Sequence, residues 1–293
     1  MMGIMMCKRN IQLGRTIIAG ALALSMLYGC TTTSTSVKRI NAGDAVLVDY
    51  TCRIENGDIL ASTQEQIVFE KEAQVSHAFV PMKSYGSIPL MVNREMKKTG
   101  KPITRGLQEE ISYRLGKQLI GQAYDQILHL AVASEAIENL PKMERYLQIA
   151  KIIRRPKQRD MPKADFIKVA GKEPKVGEIL FEDRSLQWRV MDVQKDSVTI
   201  RYLAEEGQRI TLPSFGEAIV REKDDHYNLE IQGRPGSLIR VGPYIGRIVD
   251  ITNKLFIIDF EHPFGGRELS CEVTVKKEND HAALDLESDS KKE

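Results

Sequence analysis

The sequence is short of the residues from which catalytic machinery is usually assembled. Four cysteines, five histidines and one tryptophan are spread over 293 residues, and aromatics make up only 6%. No glycine-rich phosphate loop, HExxH helix, paired CxxC or GxSxG elbow occurs. Nucleotide, zinc-protease, dithiol and serine-hydrolase chemistry therefore have no motif to rest on. His77, His129, His226, His262 and His281 are scattered without metal-ligand spacing, so neither a metal nor another cofactor is implied. Charge of one sign is lacking too: 42 Lys and Arg meet 40 Asp and Glu, a formal net charge of +2. A nearly neutral chain has no electrostatic footprint for a phosphate backbone, which argues against nucleic acid as the main partner. What is present, 42% hydrophobic and 28% charged residues, is an ordinary globular composition. Its length suits one elaborated domain or two modest ones.

Also missing is an apolar run of the roughly 20 residues that a bilayer span needs. The nearest is Thr16–Tyr28, preceded by Lys8, Arg9 and Arg15, which together read as the basic and apolar regions of an export signal. It closes on Leu27-Tyr28-Gly29-Cys30, which resembles a bacterial lipobox. That resemblance implies cleavage before Cys30 and a diacylglycerol on its sulfur; the competing reading is an uncleaved membrane anchor. Residues 1–29 are then a signal peptide and 30–44 a tether, flexible through its Thr/Ser stretch Thr31–Ser36. The absence of aspartate after Cys30 implies the outer membrane of a bacterial cell envelope, facing the periplasm. In that oxidising compartment Cys52 and Cys271 are a candidate disulfide, or else two small buried thiols.

Periodicity divides the rest. Ala45–Ile54 alternates as a half-buried strand, Glu55-Asn56-Gly57-Asp58 marks a hairpin turn, and Ile59 and Leu60 begin the return strand. Pro81, Pro89 and Pro102 break residues 64–104. Leu107, Ile111, Leu115, Leu119, Ala123, Ile127 and Ala131 recur every four residues and predict an amphipathic helix, weakened by Gly116 and Gly121. After Pro141, Lys142–Ile153 reads as a second helix with Met143, Leu147 and Ala150 on one side, so 105–158 is expected to be helical. The cations Lys151, Arg154, Arg155, Lys157 and Arg159 read as a solvated face and linker. Beyond this the pattern turns β-rich. Arg189–Tyr202 recurs 58 residues later as Arg247–Phe260, a hairpin used twice. Residues 277–293 are polar and expected to be disordered.

Asp259–Val275, with His262-Pro263, Gly266, Leu269, Val273 and Val275, resembles the closing segment of FKBP-type peptidyl-prolyl isomerases of the SlyD-like branch. Val46–Thr63 is similar to that family's opening hairpin, with Tyr50 at its pocket tyrosine. Arg159–Phe166 and Lys175–Leu180 resemble the lead-in to the branch's insert domain, which binds unfolded peptide. The resemblance implies an α+β fold. An FKBP-like antiparallel sheet from 45–104 and 260–276 would be interrupted by the helical segment 105–158 and a β-rich insert domain, 159–259. It implies a prolyl-isomerase pocket lined by Tyr50, Leu60, Leu119, Ile120 and Cys271, with Tyr50, Cys52 and Cys271 facing the same way. Such a pocket needs apolar walls and one or two hydrogen bonders, because rotating an X–Pro amide requires neither nucleophile nor metal. The implied partners are unfolded or proline-containing polypeptides, with the membrane reached through the lipid anchor. Two departures stand out: Leu60-Ala61 lacks the family's carboxylate, and Cys271 replaces an aromatic residue. They leave open a second reading, a non-catalytic holdase or assembly lipoprotein that keeps the fold with a degraded pocket.

Overall fold

The computed structural model describes residues 38–94, 104–182 and 186–277. The signal peptide, Cys30 and the tail beyond Lys277 lie outside the described residues. In chain order the first part runs β1 (Ala45–Arg53), β2 (Ile59–Ser62), α1 (Glu65–Phe69), β3 (Ile88–Met91), α2 (Leu107–Gln118) and β4 (Ile127–Ala133). A single turn, α3 (Lys142–Arg145), leads into three consecutive short strands: β5 (Tyr146–Ala150), β6 (Ile152–Pro156) and β7 (Gln158–Pro162). After α4 (Lys163–Ala170) come β8 (Ile179–Glu182), β9 (Leu186–Val193) and β10 (Ser197–Leu203). Then follow β11 (Arg209–Leu212), β12 (Gly216–Glu222) and β13 (His226–Ile231). The chain closes with β14 (Leu238–Val241), β15 (Tyr244–Ile251), β16 (Leu255–Asp259) and β17 (Glu268–Lys277).

Strict alternation buries Val46, Val48, Tyr50 and Cys52 on one face of β1. The turn that follows closes through Gly57, whose φ of +89° is open to glycine at little cost. β1 pairs antiparallel with β17, bringing Tyr50 opposite Val273 and Cys52 opposite Cys271. β17 pairs onward with β4, while β2 and β3 lie on the other side of β1. Leu107, Ile111, Leu115 and Leu119 of the α2 stripe are fully buried in the first core, with the inward residues of β1 and β17. A disulfide between Cys52 and Cys271, S–S 2.05 Å, ties the opening strand to the closing one.

The helical stripe ends earlier than its spacing suggests. Gly121 takes φ +78° and donates its N–H to the Ile40 carbonyl at 2.8 Å, turning the chain. Beyond it Ile127 and Ala131 are exposed on a strand, not buried on a helix. A spacing of four is even, so it fits a period of two as well as one of 3.6; the alternation of Leu128, Leu130 and Val132 marks the strand. The second expected helix shrinks to one turn, with Met143 95% exposed, and β5 and β6 replace the rest. Nor does the tether run to residue 44: Ile40 is buried in the first core, its N–H bonded to the Gln122 carbonyl.

The hairpin used twice is in fact used three times. Gly177, Gly207 and Gly236 precede three meanders, β8–β10, β11–β13 and β14–β16, and donate N–H groups to the carbonyls of Val190, Val220 and Ile248. Those three residues return their own N–H groups to Glu178, Gln208 and Ser237. The middle copy escapes sequence comparison because Ile219 stands where the outer copies have Arg189 and Arg247, and because only the outer copies carry a bulge. Each meander receives a fourth strand from 146–162: β16 takes β5, β13 takes β6 and β10 takes β7. This strap passes between sheets at Lys151 and Lys157, whose N–H groups reach the Lys254 and Asp225 carbonyls. The basic stretch expected to be a linker thus forms strands β6 and β7 and the crossings before them, with Lys151, Lys157 and Arg155 over the rings of Phe256, Tyr227 and Tyr202 at 5.8, 5.5 and 5.1 Å. Val190, Val220, Ile248 and their neighbours from all three sheets share the second core with Phe166 of α4, which packs edge-on to Trp188 at 5.3 Å.

The architecture is therefore mostly antiparallel β-sheet, 46% strand against 13% helix among the described residues, in several sheets. This overturns the expected α+β FKBP-like fold. The segment expected to be helical from 105 to 158 is so only at α2 and the single turn α3; the rest supplies β4 and most of the strap that completes three sheets.

Candidate functional site

The first core holds a cavity between α2 and β3, and the start of α2 is fixed in place beside it. The Glu109 carboxylate accepts the Gly106 N–H at 3.2 Å, supplying the end of the helix with an acceptor. Glu110, 1% exposed, accepts from both Arg105 and Arg114 at 2.7 Å, and Arg114 reaches on to Glu135 at 3.1 Å. Gly116 lets the helix come close to β3: a Cβ there would lie 3.3 Å from Leu90 Cδ2 and 3.5 Å from the Met91 carbonyl.

The cavity holds about 580 Å³, with apolar walls from Met82, Ile88, Leu90, Met91 and Tyr113. Its mouth carries Arg94, Arg105 and Lys117 against Glu109. The Tyr113 ring sits among cations, with Arg105 at 4.0 Å and Lys117 at 4.5 Å from its centroid. Tyr50 forms part of the wall. Its backbone N–H is held by Thr63 Oγ1 at 3.0 Å and its carbonyl by the Thr63 N–H at 2.9 Å. The ring is 0% exposed, yet the hydroxyl has no hydrogen-bond partner among the described residues. Burial pushes its pKa well above the ordinary tyrosine value, so it remains a neutral donor and acceptor. Apolar walls, one dry hydroxyl and a cationic mouth suit an apolar group that brings a hydrogen-bonding atom with it.

The chain matches no family model and no curated protein. Chemistry must be read from these side chains. Among the described residues no histidine or cysteine lines the cavity, and no group of three His, Cys, Asp or Glu is placed to hold a metal ion. No described helix is long and apolar enough to cross a membrane.

Of the five residues assigned to a pocket by resemblance, Tyr50 alone lines this cavity. Leu60 and Leu119 are fully buried elsewhere in the first core, and Ile120 is 45% exposed at the end of α2. Cys271 is bonded to Cys52. Sequence reasoning missed Met82, Ile88, Leu90 and Tyr113. The first three belong to a proline-broken stretch with no period to read, whereas Tyr113 had a signal: an aromatic off the apolar stripe, flanked by Arg114 and Lys117. A second apolar groove, about 310 Å³ between Ile137, Leu140, Met143, Tyr146, Leu147 and Tyr244, lies beside the third meander.

Proposed function

We propose that the chain is a lipid-anchored protein of the bacterial cell envelope that binds extended polypeptide, drawing an apolar side chain, proline included, into the Tyr50 cavity. The anchor reading rests on the basic and apolar run before Gly29-Cys30. The binding reading rests on one observation, the buried Tyr50 hydroxyl, without a partner among the described residues, at an apolar wall. A buried polar group left unsatisfied costs about 1–3 kcal/mol, which a peptide carbonyl or N–H would recover on binding. The cations at the mouth favour segments in which Asp or Glu neighbours the apolar residue.

Binding without catalysis is the reading that the side chains support better than prolyl isomerisation. A twisted prolyl amide needs walls on several sides, and of the residues assigned to that task only Tyr50 borders the cavity. The test uses an unfolded protein whose refolding is limited by proline isomerisation, with wild type and Tyr50→Phe. Wild type should suppress its aggregation at stoichiometric amounts and leave the slow phase unchanged, and Tyr50→Phe should suppress it less. Acceleration of the slow phase that Tyr50→Phe abolishes would establish the isomerase instead. Absence of both effects would sink the proposal.

A further inference from the structure

β4 is the last strand of its sheet. It pairs with β17 on one side, and no described strand lies on the other. Where its backbone groups point follows from the register. The Cα atoms of Cys52 and Cys271 are 4.1 Å apart, the spacing of a non-hydrogen-bonded antiparallel pair. The backbone groups of Cys271 therefore turn to its other neighbour, Leu130. Leu128, Leu130 and Val132 thus serve β17, while the N–H and C=O groups of Ile127, His129, Ala131 and Ala133 point outward. The Ala131 carbonyl accordingly accepts from the side chain of the exposed Gln118, at 3.0 Å. The side chains of the same four outward residues are exposed, Ile127 by 62%.

Edge strands are normally blunted by charge, proline or a bulge, because unpaired backbone recruits other strands. β3 carries Pro89, β6 and β7 carry arginine and proline, β11 and β14 carry arginine and β8 carries Glu182, while β2 and β5 lack both devices but are only four and five residues long. Ile127–Ala133 has no charged residue and no proline along seven residues. The ground beside it is acidic: Glu272 lies directly across from His129 and Glu268 from Ala133, both exposed. Neither glutamate makes an ion pair within the described residues.

We propose that β4 takes up an extended segment of another polypeptide as a further strand, and that this segment alternates apolar residues with lysine or arginine. Main-chain hydrogen bonds to Ile127, His129 and Ala133 and to the Ala131 N–H supply affinity, the Ala131 carbonyl being held by Gln118, and alternate side chains supply selectivity. One face of the added strand meets Leu128 and Leu130, which the core covers only in part. The other lies beside Ile127, His129, Ala131 and Ala133, where long basic side chains can reach Glu268 and Glu272 one strand further in. None of these residues lines the Tyr50 cavity, so the proposal stands apart from the function assigned there.

The test titrates the full-length protein with fluorescent heptapeptides that alternate valine with lysine or valine with glutamate, read by anisotropy. The lysine peptide should bind at least about tenfold more tightly than the glutamate peptide. Ala131→Pro removes an outward N–H that β17 does not use, a position where an edge strand tolerates proline. It should weaken the lysine peptide by about tenfold or more. Should that variant fail to fold, Glu268→Lys with Glu272→Lys, both surface changes, should reverse the preference. Equal binding of the two peptides, or a preference that survives charge reversal, would overturn the proposal. So would a wild-type dimer that becomes monomeric in Ala131→Pro, because a second copy would then cover the edge.

Discussion

Replacing Tyr50 by phenylalanine deletes one oxygen from the first core and should move stability and binding in opposite directions. In the free protein the ring is 0% exposed and the hydroxyl has no partner among the described residues, so the group has given up water without compensation there. Deleting it recovers a desolvation cost of about 1–3 kcal/mol. The lower figure is the safer one, because removing a buried oxygen leaves a small void beside the ring. A gain of about 1 kcal/mol raises the midpoint of a chain this size by about 2–4 °C. In the complex the sign reverses. A hydrogen bond to the ligand is worth about 0.5–1.5 kcal/mol net, so affinity should fall by about twofold to twelvefold. Because burial holds the phenol neutral, neither effect should vary across the neutral pH range. Scanning calorimetry with and without an unfolded client polypeptide measures both quantities: the midpoint of the free variant should rise, and the shift produced by client should shrink. A free variant melting several degrees below wild type would show that the hydroxyl already has a partner, and the reason for placing a ligand there would disappear.

Three further outcomes follow from other parts of the molecule. Cys52→Ala with Cys271→Ala opens a loop of sequence separation 219 and should lower stability by about 2–5 kcal/mol in denaturant titrations; a loss under about 1 kcal/mol would show that the cross-link constrains little. Glu110→Gln strips the charge that Arg105 and Arg114 share at a site 1% exposed, and should cost about 3 kcal/mol, whereas an unchanged midpoint would make the ion pairs superfluous. The Asp44 carboxyl is held below its ordinary 3.8 by the Asn41 N–H and then by the Tyr124 hydroxyl. A depressed carboxyl stabilises the fold above its unfolded pKa and loses that contribution as pH falls through the folded value, so below about pH 4 wild type should lose stability more steeply than Asp44→Asn. Parallel acid-unfolding curves for the two proteins would contradict that assignment.

Much of the candidate site was beyond sequence reasoning for a physical reason. Tyr50 was legible because alternation along β1 places it inward, and Tyr113 could have been found by its cationic neighbours. The cavity itself exists only where α2 crosses β3, and the residues of β3 follow no period that announces it. The resemblance to FKBP-type isomerases rested on strand–turn–strand segments at the two ends of the chain. Such segments describe local geometry and leave the intervening chain free to form a different fold. The repeats carry more of the fold than any single motif. The glycines at 177, 207 and 236, and the cations at 145, 151, 157 and 163, recur at regular intervals that mark three equivalent meanders and one strap.

What the amino-acid order determined by itself is what depends on near neighbours: the inward face of β1, the turn at Gly57 and the buried stripe of α2. These follow from side-chain period and backbone freedom over a few residues. Whether Ile127–Ala133 was helix or strand could not be read in that way, since its spacing satisfies both. Pairing with β17, more than a hundred residues further along the chain, decided it. The same pairing set Cys52 opposite Cys271, and it left β4 as the end of the sheet with four residues turned outward. An unpaired edge is a consequence of strand order, and strand order is settled only when distant segments compete for the same backbone hydrogen bonds.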